Sequence, residues 1–536
     1  MSVLQALLIV IVAWVVWKAR NFTKVSPLDN VSGPRADSFI YGECDIPRYS
    51  GRHAHPLHRK LWDTYGAVVK LESFFRAPAL YVYDTMALHN IVVKEPHIYE
   101  ETPLFYKLNQ LVFGDGLLSS SGERHKQQRK VLNPVFHTSH MRSLLHVARQ
   151  LRSGLVNEVK SGQREIDIHN WMTRVSLEFI GQGGLGHSFD PLNGEWKNPI
   201  VEKIKSIPPT FGPLFLILRF LPFVSGLGSP AFRRRVLELT PWKRLHRCIE
   251  ITDNLEAMSK SILEQKKAQL AQGDAVLEHQ IGEGKDIISV LLQANLRASN
   301  EYQMSDKELI GHITSLIFTA LETTSSALTH TLQSLSEHQE VQDKLRQEIM
   351  TARGGREEIP YDELMSLPYL EAVCRETLRL YSPATSMVRR TTKDTIMPLS
   401  TPIRGKDGTM ISKLLVPKST TVIIGILACN TNPAIWGQDA REWKPERFLK
   451  PLPDSVAEAR VPGIYSNLMT FLGGGRACIG FKFSQLEMIV ISLLIEKFKF
   501  TPSGQEVYWN WSSLQYPTAS KEATEPSMPL RIELVR

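Results

Sequence analysis

Apolar residues run along this chain in three patterns. Residues 3–17 are apolar at every position but Gln5, and Lys18, Arg20 and Lys24 follow. That run reaches the lower edge of the roughly 17–25 residues that cross a bilayer. Its charges follow the apolar stretch instead of preceding it, and no small-residue cleavage site comes after. Residues 1–20 therefore read as an uncleaved single-pass transmembrane anchor, with the body of the protein on the cytosolic side. A different pattern, short apolar stretches of alternating character, marks residues 67–71 and 79–83 as a strand pair. Spacings of three and four predict helices over residues 241–270, from Ser305 to about Leu335, over 369–380 and over 481–500. Ser305 with Glu308 three residues on is a capping box for the second of these. Residues 387–390 and 416–426 read as strands, with a hairpin at Asp407-Gly408.

The greasiest stretch beyond the anchor is residues 211–224, interrupted by Pro213 and Pro222 and too short to span. It is either core or a surface that dips into a membrane. No Ser/Gly-rich linker and no internal repeat divides residues 21–536, so they read as one large domain, mainly α with small β-sheets. Hydrophobic residues make up 43% of the 536, ample for such a core. The net charge of +8 is modest, and Arg233-Arg234-Arg235 is the sole basic triple. That excludes a nucleic-acid-binding tract and suits a membrane surface or an acidic protein partner. The five cysteines, Cys44, Cys248, Cys374, Cys429 and Cys478, are scattered and odd in number. They form no disulfide framework or zinc site and fit a reducing compartment.

The candidate chemistry centres on residues 471–480, Phe-Leu-Gly-Gly-Gly-Arg-Ala-Cys-Ile-Gly. Cys478 falls at or just before a helix start, where free N–H groups and the dipole favour a thiolate. A thiolate so placed can bind haem iron axially. The glycines would let backbone approach a flat cofactor, and Arg476 could pair with a propionate. An inert buried cysteine is the plain alternative. A phosphate cradle fits less well, because the Gly-Lys-Ser/Thr ending of a P-loop is missing. In the helix after Ser305, Glu322-Thr323-Thr324 interrupts an almost wholly apolar stretch, and such groups are costly to bury without purpose. A polar face meeting solvent is the other reading. Glu376 and Arg379, three apart, could be an ordinary helix-surface pair. His125 and Arg129, four apart, could be a solvated basic face.

The spacing Phe471-x-x-Gly474-x-Arg476-x-Cys478-x-Gly480 resembles the haem-binding signature of the cytochrome P450 superfamily, and the chain looks like its fungal members. Thr319 to Thr324 is similar to the family's oxygen-activation motif, with Thr319-Ala320 in place of the usual small pair. Glu376, Arg379 and Arg447 of Pro-Glu-Arg-Phe resemble its Glu-Arg-Arg structural triad. His125 stands where the family usually has Trp, and Arg129 follows it. The resemblance implies the helical triangular prism of the cytochrome P450 fold, with residues 21–536 as a haem-thiolate catalytic domain. It implies haem b (iron protoporphyrin IX), with Cys478 as axial iron ligand and Phe471, Arg476, Arg129, His125 and Arg389 around the cofactor. Glu322 and Thr323 would then deliver protons while one oxygen atom from O2 enters a C–H bond of a lipophilic small molecule, a terpenoid-like secondary metabolite foremost. NADPH–cytochrome P450 reductase would supply electrons, with cytochrome b5 as a second donor, at the endoplasmic reticulum membrane. Two rivals stand beside this: a same-fold isomerase or dehydratase acting without O2, and a non-catalytic membrane haem binder.

Overall fold

The computed structural model describes residues 26–35, 54–73, 77–136, 142, 144–193, 199–272, 286–298, 303–511 and 514–535. The expected anchor lies outside them, as does the loop expected over 271–285 from residue 273 on. Among the described residues no helix is long and apolar enough to cross a membrane.

Helices dominate. In chain order those used below are α1 (Ala54–Tyr65), α2 (Pro103–Phe113), α3 (Gly122–Leu132), α4 (Leu145–Lys160), α5 (Ile168–Glu178), α6 (Pro230–Leu239), α7 (Lys243–Ala271), α8 (Asp306–Glu337), α9 (Gln339–Arg353), α10 (Pro368–Leu380) and α11 (Leu486–Lys497). The long helix α8 starts at the expected box: the Ser305 side chain accepts from Glu308 N–H while the Glu308 carboxylate accepts from Ser305 N–H. It packs against α5, α7, α10 and α11, and its apolar residues sit at the centre of the larger core. α4, with Leu151 and Leu155 fully buried, closes that core beside α11.

The strands are β1 (Val68–Glu72), β2 (Pro78–Val82), β3 (Tyr99–Glu100), β4 (Glu165–Asp167), β5 (Ser386–Thr391), β6 (Thr395–Arg404), β7 (Met410–Val416), β8 (Thr421–Gly425), β9 (Phe498–Pro502), β10 (Tyr508–Trp511), β11 (Gln515–Thr518) and β12 (Pro529–Leu534). A five-stranded sheet runs β1-β2-β8-β5-β3, with β2 and β8 parallel and the other neighbours antiparallel. It carries a second core, into which α1 buries Leu61 and Trp62. β4-β12-β9 form a three-stranded sheet, and β6-β7 and β10-β11 form hairpins.

Two elements differ from expectation. The strand expected over 416–426 splits, because Pro417 removes a ladder donor and Ser419 turns the chain at φ 68° before β8 starts at Thr421. The helix expected over 481–500 pauses at Gln485 and ends at Lys497. Phe498 and Phe500 point into the core from β9, which is held by antiparallel pairing with β12. The alternating Phe-Lys-Phe suits a strand buried on one face.

Candidate cofactor site

The cysteine loop is closed by its own backbone. Cys478 N–H donates to the Phe471 carbonyl at 2.9 Å, and Ala477 N–H donates to the Gly474 carbonyl at 3.1 Å. Phe471 packs its ring edge-on to Tyr465, with centroids 5.5 Å apart. The glycines do different work from that expected. A Cβ on Gly473 would lie 1.9 Å from the Pro462 carbonyl oxygen, and one on Gly474, which has φ +68°, 1.8 Å from that of Val92. Those two positions let the loop press on neighbouring backbone. Gly475 alone of the three has nothing within 4 Å of its Cβ position.

Cys478 is exposed. Protein nevertheless surrounds it closely enough that burial raises its thiol pKa, against the opposing pull of Gly480 N–H and Arg129. A side chain lining an enclosed space shows both properties. The helix that follows, Phe481–Ser484, is a single turn, too short for its dipole to overcome that burial. The thiolate expected from helix position alone is therefore not favoured by the protein groups; it needs a cation bound to sulfur.

Cations converge beside it. α3 projects His125 and Arg129 from one face, and both interact with Arg476. Burial, with those two guanidiniums, pushes His125 down to about 3, so it stands as a neutral donor. The Arg129 side chain is half-buried, and among the described residues its guanidinium has no hydrogen-bond or ion-pair partner. Arg476 donates to Tyr106 Oη at 2.9 Å and to the Ser120 carbonyl at 3.0 Å, with Glu100 at 4.0 Å. Arg389 on β5 is buried and paired with Glu101 at 2.6 Å. A half-buried guanidinium without an anion, beside a thiol in an enclosed space, fits an anionic metalloporphyrin. Arg129, His125 and Arg476 would hold its propionates and Cys478 its iron.

On α8 the half-buried positions Leu316, Thr319, Ala320 and Thr323 share one face of an otherwise buried stretch. Thr319 and Thr323 hydroxyls donate to the carbonyls four residues back, each at 2.7 Å. α8 runs unbroken through them. Burial pushes the Glu322 carboxyl up to about 7, with Lys205 as its opposing charge. Among the described residues, no hydrogen bond or ion pair joins Glu322 or Thr323 to the cysteine loop. Charging Glu322 destabilises the fold as pH rises from the ordinary carboxyl range through about 7. E322Q should therefore match the parent near pH 4.5 and exceed it by on the order of 1–3 kcal/mol at pH 8.5, read by denaturant unfolding.

Behind the loop, Glu376 and Arg379 are fully buried on α10 and form two parallel bonds of 2.7 and 2.8 Å. Arg379 also donates to the carbonyls of Asn430, Ala440 and Glu442. Arg447 approaches Glu376 at 3.4 Å and is held more closely by Asp439 at 2.8 Å. Residues not anticipated from sequence complete the link. Asn430 accepts from Met469 N–H at 2.8 Å and donates to Thr470 Oγ1 at 2.9 Å, one residue before Phe471. Glu100, Glu101 and Tyr106 were missed also; their only local signal is two adjacent acids at the end of β3, just before α2.

Fold and site together define a haem-thiolate protein. The cytochrome P450 family model matches residues 44–513. The chain is 48% identical to cytochrome P450 monooxygenase 91 of Postia placenta, over 100% of this chain and 99% of that one. It is 41% identical to a ganoderic acid synthetase of Ganoderma lucidum, over 97% of each. A cytochrome P450 crystal structure superimposes with a TM-score of 0.68 at 20% identity, covering 94% of this chain and 99% of that one. The chain belongs to the cytochrome P450 family and is an oxidoreductase of its monooxygenase class, with the family's haem-thiolate iron as cofactor and small molecules as substrates.

Proposed function

We propose that this chain inserts one oxygen atom from O2 into a C–H bond of a lipophilic small molecule, using haem b held through Cys478. The observation that carries the reading is the enclosed Cys478 beside the unpaired guanidinium of Arg129. The bound haem-thiolate supplies oxygen activation. The protein's part is to hold the propionates through Arg129, His125 and Arg476, to pack Phe471 beside the cysteine, and to deliver protons. Glu322, raised to about 7, holds its proton near neutral pH and passes it toward the space bounded by Thr323. The half-buried apolar face of α8 excludes bulk water from that space. Electrons come from an NADPH-dependent reductase, and a terpenoid-like substrate is favoured by Leu316 and Ala320 on the half-buried face of α8; one relative is named for a ganoderic acid.

Thr323 separates this reading from an isomerase or a haem binder. T323A should still bind haem and consume NADPH with its reductase. Most of the electrons should appear as hydrogen peroxide instead of hydroxylated product. Unchanged product yield per NADPH would remove Thr323 from the proton path, and product formed with no NADPH consumed would favour chemistry without O2.

Membrane attachment is the second part of the proposal, with the anchor at residues 1–20 and the body on the cytosolic face of the endoplasmic reticulum. Its support in the fold is an apolar surface extending past the stretch marked from sequence. Ile217, Phe220, Phe223, Val224, Leu227, Phe232, Val236, Leu239 and Trp242 are all exposed, interleaved with Arg233 and Arg235. Monomeric soluble proteins rarely leave so large a patch open. α6, apolar and arginine-rich, suits the interface of an anionic leaflet. In a chain lacking residues 1–20, binding to anionic vesicles should persist. Replacing Phe223 and Leu239 by Glu should weaken it at least about tenfold, since each large apolar side chain contributes roughly 1.5–3 kcal/mol. Unchanged sedimentation with vesicles would rule the patch out.

A further inference from the structure

The edge of the site around Arg389 and Arg476 carries more negative charge than a propionate-binding edge needs. Glu101 is buried, with its side chain and that of Arg389 each 4% exposed and 2.6 Å apart. Arg389 spends the same Nη1 on the Val388 carbonyl at 3.1 Å. Next to this pair, Tyr106 Oη donates to Glu100 Oε2 at 2.7 Å while accepting from Arg476. Arg389 and Arg476, two of the three guanidiniums expected around the cofactor, thus already meet carboxylates of the chain itself, Arg389 directly and Arg476 at 4.0 Å. Three guanidiniums, of Arg129, Arg389 and Arg476, face two carboxylates, of Glu100 and Glu101, and His125 is neutral. Two propionates would leave one negative charge in excess, since the ferric porphyrin core and the thiolate offset each other. Buried charge of one sign without a partner is costly.

We infer that Glu101 is a positioning residue that competes with the cofactor's propionates for Arg389, and so weakens haem retention, more at alkaline than at acid pH. The inference rests on the haem reading above. The titratable and charged groups facing Glu101 are Arg389 from β5, Arg476 from the cysteine loop, Tyr106 from α2 and the neighbouring Glu100. Burial raises the Glu101 carboxyl, and the two arginines oppose the rise. The sign follows from that direction. Protonated Glu101 frees Arg389 for a propionate and removes the excess charge. That stabilisation is present below the raised pKa and is lost as pH climbs through it.

The test is the rate at which full-length holoprotein gives up haem to excess apomyoglobin, followed by absorbance. The parent should lose haem faster as pH rises from about 5 to about 8. E101Q keeps the shape of the side chain and removes its charge. It should lose haem roughly tenfold more slowly than the parent at the upper pH, with a flatter profile. E101D, which keeps the charge, should retain the parent's slope. A flat profile in the parent overturns the inference without any variant. So does E101Q losing haem faster than the parent while E101D does not, which would make Glu101 a scaffold for Arg389. Absence of haem from the folded parent would instead sink the haem reading itself.

Discussion

C478S, reduced and exposed to carbon monoxide, should show no red-shifted Soret band. This is the largest effect expected of any single substitution in the chain. The position of that band reports a thiolate on iron, and a serine hydroxyl is a far poorer donor of electron density. The loop itself should survive the change. Its closure rests on Cys478 N–H to the Phe471 carbonyl, and the fit of Gly473 and Gly474 against Pro462 and Val92 involves no sulfur. The variant should therefore fold, with circular dichroism close to the parent. It should carry either no haem or haem with the spectrum of a histidine- or water-ligated iron. A native spectrum from C478S would show that another side chain binds the iron. Among the described residues Cys248, Cys374 and Cys429 are buried, and burial pushes Cys248 up to about 11 and Cys429 up to about 12. None of these is poised to replace Cys478.

R379A should fail to assemble the site although it touches no cofactor. The guanidinium is fully buried and makes five hydrogen bonds, to Glu376 and to three backbone carbonyls drawn from residues 430–442. Removing it leaves a buried carboxylate and several unpaired carbonyls, a loss of roughly 3–5 kcal/mol or more. The damage is directed. Asn430 both receives Arg379 and orients Met469 and Thr470, so the start of the cysteine loop loses its anchor. The expected result is low yield of soluble protein, a lowered melting temperature and little haem in what remains. R379K should do nearly as badly, because an ammonium cannot make the paired bonds to Glu376 and reach the meander at once. R447A should be milder, since that guanidinium leans more on Asp439 than on Glu376. Near-parental stability of R379A would assign the triad to the surface-pair reading.

Much of this architecture was legible because its causes are local. The capping box at Ser305, the apolar period of α8 and the three-residue spacing of Glu376 and Arg379 depend on neighbours within a turn or two. The ends of elements were less legible. Residues 498–502 continue the apolar period of α11, yet pairing with β12 takes them as a strand, and β12 lies some thirty residues on. Pro417 signalled its own break, but only the pairing of β8 with both β2 and β5 shows where the next strand resumes.

The chemistry divides along the same line. Order and spacing alone determined that one cysteine stands in a glycine-arginine loop, that a carboxylate and hydroxyls interrupt an apolar helix, and that a helix carries an Arg-paired Glu. These are properties of residues close in the chain. The charge environment of the site was decided only by the tertiary structure. Glu101 meets Arg389 across 288 residues, and Tyr106 meets Arg476 across 370. Enclosure of Cys478 raises its thiol where a helix dipole alone would lower it, and burial carries Glu322 to about 7. Burial and long-range pairing set the local dielectric and the local sum of charges, and neither is a function of sequence spacing.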